Sequence, residues 1–326
     1  MRAVTYRRLG PADEVLRVEE LDEPRPAPGE VRVRVRISGV NPTDVLARAG
    51  GAGRRMPFDV VTPHHDGAGV IDAVGDGVDR DRVGQRVWVY LAAAGRPNGT
   101  AAEWVTVPAR QAVPLPAGVD AGLAASLGIP AMTAHRALFG DGPIEGATVL
   151  VSGGAGSVGH FAIELARRAG AVVVATVSTS DKARSAKAAG ADLVVNYRDP
   201  DAAAQVRSIA PNGVDRVIEV NLPANAALDQ DVLAPGGTVV CYSALGAVAE
   251  LPVRPWMYLD ATIRFLILYR APLDALDRAA ADITAALRAD ALTALPEQRF
   301  PLDRVAEAHA AVEAGVTGKV LLELPD

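Results

Sequence analysis

Gly154, Gly156 and Gly159 stand at the spacing G-x-G-x-x-G. The apolar run Thr148-Val149-Leu150-Val151-Ser152 enters this turn, and a helical stretch, His160 to Ala169, leaves it. Gly154 would permit a tight turn. Gly156 would let backbone N–H groups approach a pyrophosphate seated on the helix N-terminus, and Gly159 would let helix and strand pack closely. Alone the pattern is weak; between a strand and a helix, with a second strand following, it predicts dinucleotide binding.

The same residues admit a competing chemistry. Ala155-Gly156-Ser157-Val158-Gly159 fits a hydrolase nucleophile elbow with alanine in place of the first glycine. That reading needs a late histidine, and the late candidate is His309, inside an amphipathic helical pattern from Val305 to Val312. A histidine on a helix surface is the plainer explanation, so the dinucleotide reading is preferred.

The residues beyond the turn bear on which dinucleotide. An acid about 20 positions after the glycines would hold a ribose 2′-hydroxyl and favour NAD. Here the second strand ends Ala175-Thr176-Val177-Ser178-Thr179-Ser180, and small hydroxyl residues occupy the acid's place. Lys182 and Arg184 follow, Lys182 being one of three lysines in the chain with Lys187 and Lys319. Ser178 and Lys182 would satisfy a 2′-phosphate by charge-assisted hydrogen bonds. Asp181, an acid two or three positions late, argues the other way, and a solvated first helical turn would equally explain Lys182 and Arg184. NADP(H) is expected over NAD(H).

Composition narrows the setting. The 326 residues carry 33 basic and 39 acidic side chains, a formal charge of −6, which argues against a nucleic-acid footprint. Hydrophobic residues at 49% and charged residues at 22% suit a globular chain of about two domains. Cys241 is the single cysteine, excluding an intrachain disulfide and any multi-cysteine zinc or iron–sulfur site. No charged segment followed by an apolar one opens the chain, so no secretory signal is read. The uncharged run Val232 to Ala249 contains Pro235, Gly236, Gly237 and Gly246 and reads as a turn and a buried strand, not a membrane span. A soluble cytoplasmic protein without membrane or nucleic-acid partners is expected.

Two kinds of element must position these residues. Val31-Arg32-Val33-Arg34-Val35-Arg36-Ile37 alternates strictly, placing valines on one face of a strand and arginines on the other. A solvated strand face explains the arginines better than phosphate binding. Short strands near Gly69–Val74 and Gln85–Tyr90, heavily punctuated by Gly and Pro, suggest a small barrel. From about residue 121 apolar strands alternate with alanine-rich helices: Thr148–Ser152, Val172–Val177, Leu193–Asn196, Arg216–Val220 and Thr238–Tyr242. Such runs predict a parallel, doubly wound sheet buried on both faces. Leu273–Ala291 and Leu302–Ala314 read as helices, the latter capped by Gly315, and residues 317–324 as a final strand. The fold class is therefore α/β: a β-barrel domain over 1–120, a doubly wound domain over 121–260, and a return segment over 261–326.

Gly39-Val40-Asn41-Pro42-Thr43-Asp44, Gly67-Ala68-Gly69-Val70-Ile71-Asp72-Ala73-Val74-Gly75, Gly84-Gln85-Arg86-Val87, Gly128-Ile129-Pro130-Ala131-Met132-Thr133-Ala134-His135-Arg136-Ala137-Leu138 and Thr317-Gly318-Lys319-Val320 together resemble the zinc-independent quinone oxidoreductase (zeta-crystallin-like) branch of the medium-chain dehydrogenase/reductase superfamily. The similarity spans essentially the whole chain. It implies a GroES-like catalytic domain, a Rossmann domain and a cleft at their junction. By position, it implies that Ala155, Gly156, Ser157 and Val158 contact the pyrophosphate, and that Ser178, Lys182 and Tyr197 surround the adenosine phosphate. Asn225 and the run Tyr242-Ser243-Ala244-Leu245 would line the cofactor groove. Leu266, Ile267 and Leu268 would approach the carboxamide, with Asn41 and Thr133 beside the nicotinamide. Leu46 departs from the aromatic residue common at its position, which leaves the usual aromatic wall of the substrate pocket in question. The branch also implies a homodimer, with Trp256 to Tyr269 a possible interface strand.

Zinc-dependent relatives carry a cysteine at Asn41, a His-Glu pair at His65-Asp66 and a second cysteine near Ile129. Catalytic zinc needs about three Cys, His or carboxylate ligands. With amide and apolar side chains at two of the places, no metal is expected, and His65 is read as a polar wall or proton donor, or as part of a hydrogen-bonded turn formed by His64-His65-Asp66. Without a Lewis acid the substrate should carry its own electron sink. An NADPH:quinone oxidoreductase is the first expectation. An NADPH-dependent reductase of an activated C=C bond (enone, enal or enoyl thioester) is the second, and a non-catalytic NADPH-binding protein the alternative of another class. Asn41 would donate to a carbonyl oxygen gaining charge. Asp44 would orient the pocket or cap the following helix. Tyr90, Trp256 and Tyr258 would stack on a planar substrate or pack in a core or interface.

Overall fold

The alternating segment forms one long strand, and its two faces divide as the pattern requires. In the computed structural model, which describes residues 1–50, 55–243 and 248–325, Val31, Val33 and Val35 are buried. On the other face the Arg32 fork grips Asp72, Nε to Oδ1 at 2.9 Å and Nη2 to Oδ2 at 3.0 Å, and both Arg32 and Arg34 lie over the Trp104 ring. These arginines are partnered by the protein itself, which removes the motive for a phosphate-binding face.

The chain divides into two compact units, Met1–Ile129 with Ala294–Asp326, and Pro130–Thr293. The first contains β1 (Arg2–Thr5), α1 (Ala12–Val15), β2 (Arg17–Glu20), β3 (Glu30–Val40), α2 (Pro42–Ala49), β4 (Asp66–Val74), β5 (Arg86–Val89), β6 (Trp104–Pro108), β7 (Ala112–Pro114) and α3 (Ala121–Ala124). The second contains α4 (Met132–Phe139), β8 (Thr148–Val151), α5 (Ser157–Arg168), β9 (Val172–Val177), α6 (Ser180–Ala188), β10 (Leu193–Asn196), α7 (Ala202–Ile209), β11 (Val214–Glu219), α8 (Leu222–Val232), β12 (Leu233–Cys241), α9 (Val253–Tyr258), β13 (Thr262–Phe265) and α10 (Leu273–Arg288). The chain then returns to the first unit with β14 (Glu297–Pro301), α11 (Val305–Glu313) and β15 (Lys319–Glu323).

In the first unit β3 organises a seven-stranded sheet, in the order β14-β15-β3-β4-β5-β7, with β6 also on β3. One edge of β3 pairs with β6 along residues 30–34 and with β15 along residues 37–40, while the opposite edge pairs with β4. The last strand of the chain thus meets the end of β3, where Asn41 begins α2. In the second unit six parallel strands run β10-β9-β8-β11-β12-β13. Val149, Leu150, Val151, Val173, Val174, Val217, Ile218, Val239 and Val240 are all buried, as a sheet covered on both faces requires. The strand order reverses between β8 and β11. Such a switch point opens a crevice at the carboxyl ends of the strands.

Two differences from the sequence reading have physical causes. The strand β13 lacks a continuous apolar run because it is a sheet edge: its pairing is with β12 alone among the described strands, and its Thr-Ile-Arg-Phe residues are half-buried or exposed. Because β13 pairs with β12, residues 261–293 fold with the parallel sheet, and the return to the first unit begins at Ala294. The helix read from Leu302 starts at Val305, after a tighter turn over Leu302–Arg304.

Candidate functional site

A buried polar cluster forms where β3 ends. Asn41 caps α2, Pro42 supplies the preset φ of the first helical residue, and Asp44 reaches back to accept from the Asn41 backbone N–H at 2.8 Å. Asp44 is therefore the acid arm of a capping box; the cap itself is Asn41. The Asn41 side chain is held from both ends. Its Nδ2 donates to Asp66 Oδ2 at 2.8 Å, and its Oδ1 accepts from Lys319 Nζ at 2.6 Å. Asp66 Oδ1 accepts from the Ile129 N–H at 2.8 Å, and Lys319 Nζ lies 3.8 Å from Asp66 Oδ2. Asn41, Asp44, Asp66 and Lys319 are at most 3% exposed. Burial raises Asp44 to about 8, helped by the negative charge of Asp66. Burial likewise raises Asp66 to about 6, with Lys319 acting against it, and lowers the Lys319 ammonium against the pull of both acids. The geometry pairs the Asp66 carboxylate with the Lys319 ammonium, and burial favours the neutral form of Asp44.

His65 stands beside this cluster, Nε2 at 3.9 Å from Asp44 Oδ1, and burial lowers it to about 4. Its neighbour His64 turns elsewhere, through a left-handed backbone (φ 80°) that separates the two adjacent imidazoles. His64 Nδ1 meets Ser38 Oγ at 2.9 Å and His64 Nε2 meets His309 Nε2 at 3.0 Å, with the two rings stacked. His309 is thus fully buried rather than on a helix surface. An N–H···N bond between imidazoles requires one donor and one acceptor, so it is lost when both rings are protonated, and burial favours the neutral pair. Burial lowers His309 to about 3 and puts His64 well below its ordinary value.

In the second unit the glycine turn has the expected architecture with its roles shifted by one residue. The left-handed residue is Gly153 (φ 67°), not Gly154. A Cβ on Gly159 would lie 2.4 Å from the Gly153 carbonyl, so this position admits only glycine. Gly156 is the N-cap of α5, whose first turn contains Ser157 and Val158 and no acid. The first backbone N–H groups of a helix have no partner within it, and the helix dipole adds positive potential there.

Ser178 follows β9 and Tyr197 follows β10; the Tyr197 N–H donates to the Val177 carbonyl at 3.1 Å, which brings the two strand ends together. Thr179 caps α6, accepting from the Lys182 backbone N–H at 3.3 Å. Asp181 is engaged by Arg184 at 2.6 Å, whereas the Lys182 ammonium has no carboxylate partner among the described residues. At the switch point Asn225 Nδ2 donates to Ser152 Oγ at 2.9 Å and to Glu219 Oε1 at 2.8 Å, tying the ends of β8 and β11 to α8. Burial raises the Tyr242 phenol above its ordinary value, helped by Glu219. Ser243 is exposed and accepts from Cys241 Sγ through its carbonyl, while Ala244 and Leu245 lie outside the described residues. Leu266 and Leu268 are buried with Ile267 exposed between them, and Thr133 is buried in α4. Leu46 is exposed, as is Tyr258, whereas Trp256 packs in the core of the second unit and Tyr90 lies against Trp88.

Sequence reasoning missed two participants. Lys319 receives no site role from its motif or from the count of three lysines, although a lysine in a chain with 30 arginines, at an inward position of the last strand, is a usable signal. His309 was misplaced because a helical period does not reveal what a polar position faces.

The neutral imidazole pair predicts a pH effect. Unfolded histidines bind protons below about 6.5, so the pair's contribution is present above that pH and is lost as pH falls toward the folded value near 3. His309→Phe, which orphans His64, should lower thermal stability at pH 7.5 by the order of 1–3 kcal/mol. The deficit against wild type should narrow by pH 5. A deficit equal at both pH values in thermal denaturation would refute the neutral pair.

The chain matches the family model described as Alcohol dehydrogenase GroES-like domain over residues 27–117 and that described as Zinc-binding dehydrogenase over residues 157–284. It is 31% identical to the human quinone oxidoreductase over 329 residues, covering 99% of this chain and 98% of that one. Its fold superposes on a solved NAD-dependent alcohol dehydrogenase (TM-score 0.90, 30% identity, all of both chains) and on a mycobacterial protein solved with NADPH (TM-score 0.85, 30% identity, 99% of this chain and all of the other). With a parallel-sheet unit whose strand β8 leads into a glycine turn, one GroES-like unit, and these likenesses over nearly its full length, the chain belongs to the quinone oxidoreductase (zeta-crystallin-like) branch of the medium-chain dehydrogenase/reductase superfamily.

Proposed function

We propose that this oxidoreductase uses NADP(H) to reduce a quinone and needs no metal. The observation that carries the cofactor reading is an acid-free α5 N-terminus together with Lys182 in the first turn of α6, whose ammonium has no carboxylate partner among the described residues. The α5 amides of Ser157 and Val158 suit a diphosphate, and Lys182 with Ser178 suits the extra phosphate that distinguishes NADPH. Asp181, which argued for NAD, is occupied by Arg184. The mycobacterial relative solved with NADPH supports the same reading. When bound, a reduced nicotinamide supplies a hydride. A quinone that accepts it gains two electrons and one hydrogen, and a solvent proton completes the hydroquinone.

Asn41 is the residue suited to assist. Asp66 takes one of its two Nδ2 hydrogens, and the other is offered to an acceptor oxygen as negative charge develops there. Asp44, held neutral by burial, competes weakly for it. Zinc does not suit this cluster. Where relatives of the zinc-dependent kind present thiolates, this chain presents donors: the Asn41 amide, the Ile129 N–H and the Lys319 ammonium all address Asp66 or Asn41. A divalent cation would meet a buried positive charge instead of an electron pair. Reduction of an activated C=C bond remains the second reading, because an enone carbonyl presents the same oxygen to Asn41.

We further propose a homodimer formed through β13. Its outer edge has no strand partner among the described residues, and Phe265, Ile267, Met257 and Tyr258 around it are exposed. An unpaired apolar edge is a template for antiparallel pairing with a second copy.

Stopped-flow or steady-state oxidation of NADPH with 1,2-naphthoquinone should exceed that with a panel of enones; faster turnover of an enone would reverse the order of the two readings, and binding without any turnover would favour a cofactor-binding protein. Lys182→Ala should weaken NADPH binding about tenfold, one charge-assisted hydrogen bond, and leave NADH binding unchanged by fluorescence titration. Elemental analysis of purified protein should find zinc far below one per chain; stoichiometric zinc would refute the metal-free reading. Phe265→Asp should convert a dimer to a monomer in light scattering.

A further inference from the structure

Lys319 is the one buried ammonium among the described residues, and the residues around it are shaped for it. Thirty of the 33 basic residues are arginine, yet this position holds a lysine. A guanidinium fork is broad and planar, whereas an ammonium is a compact point charge. The space is limited: a Cβ on Gly39 would lie 3.1 Å from Lys319 Cε, 3.2 Å from Asp66 Cβ and 2.2 Å from the Ala125 carbonyl. Gly39 of the Gly39-Val40-Asn41-Pro42 stretch thus makes room for the lysine that reaches Asn41.

The geometry decides how the Asn41 amide must lie. With Lys319 on Oδ1 and Asp66 on Nδ2, every contact is favourable. Turned over, the amide would set NH2 against an ammonium and a carbonyl against a carboxylate. A positive charge on the carbonyl oxygen also draws electron density from the amide nitrogen and makes its hydrogens better donors. We infer that Lys319 is a positioning residue: it fixes the orientation of the Asn41 amide and polarises it, so that the remaining Nδ2 hydrogen is presented to the acceptor's oxygen. This rests on the role proposed for Asn41 above. It adds that the donor strength is set by a cation beyond the amide, with no contact between that cation and substrate.

The charged groups facing this pair are Asp44 from α2, His64 and His65 from the segment before β4, and Asp66 itself. Burial favours the neutral form of both histidines and of Asp44. Protonation of Asp66 near pH 6 would remove the partner of both Asn41 and Lys319.

The test is a double-mutant cycle at saturating NADPH. Lys319→Met should lower kcat for 1,2-naphthoquinone by about tenfold or more, with NADPH affinity unchanged within twofold. Asn41→Ala should lose at least as much. The double variant should lose no more than Asn41→Ala alone, because Lys319 acts through Asn41. The acid limb of the kcat profile should move upward in Lys319→Met, since Asp66 then ionises without its cation; a purely structural role would not move it. Wild-type kcat in Lys319→Met, or losses that multiply in the double variant, would overturn the inference. If Lys319→Met does not fold, Lys319→Met/Asp66→Asn removes both charges together and should show the Asn41→Ala loss; wild-type kcat there also overturns it. A readout independent of turnover separates this inference from the proposed activity. In 15N-labelled protein the Asn41 side-chain amide resonances should shift on Lys319→Met whether or not any quinone is reduced, and unchanged resonances would sink the positioning role.

Discussion

An ion pair out of water is the constraint around which the GroES-like unit is arranged. Burying Asp66 and Lys319 is costly unless each retains directed partners. Asp66 keeps the Ile129 N–H and the Asn41 amide, and Lys319 keeps the Asn41 carbonyl and the Asp66 charge. To bring these groups together the chain joins four separated segments: the end of β3, the start of β4, the turn before α4, and the final strand. The pairing of β15 with residues 37–40 of β3 is what delivers Lys319 to Asn41. The sheet order and the polar cluster are thus one arrangement described at two scales.

A second buried polar chain lies in the same unit. Burial favours neutral imidazoles in the Ser38–His64–His309 contacts, while the Asp66–Lys319 pair requires a carboxylate and an ammonium. Desolvation is the largest influence on both histidines and on the acids, and Asp66 is held against it by the Lys319 charge and by hydrogen bonds from the Ile129 N–H and Asn41. The left-handed backbone at His64 keeps the two systems apart, sending His64 toward α11 and leaving His65 beside Asp44. The backbone conformation thus assigns adjacent, chemically identical side chains to different surroundings.

The Rossmann unit solves a different problem with main-chain groups. Its glycine turn places Gly156 as the cap of α5, whose first turn has no acid, and its switch point is bound by Asn225, which ties Ser152 to Glu219. At the α6 start the acidic neighbour of Lys182, Asp181, is held by Arg184. The first unit thus offers a polarised amide and the second a row of backbone donors.

Local periodicity determined much of this in advance. Strict alternation specified β3, apolar runs specified five of the six parallel strands, and the glycine spacing specified the strand–turn–helix, because each depends on residues near in sequence. Five short motifs in order identified the family. The amino-acid order alone did not disclose β13, whose edge position removes the burial that marks its neighbours, nor the left-handed role of Gly153. It did not disclose that His309 faces His64, or that Lys319 faces Asn41 across 278 positions of chain. Those meetings are set by which strands pair, and a side chain's charge state and partner follow from what tertiary packing brings against it, information no local pattern contains.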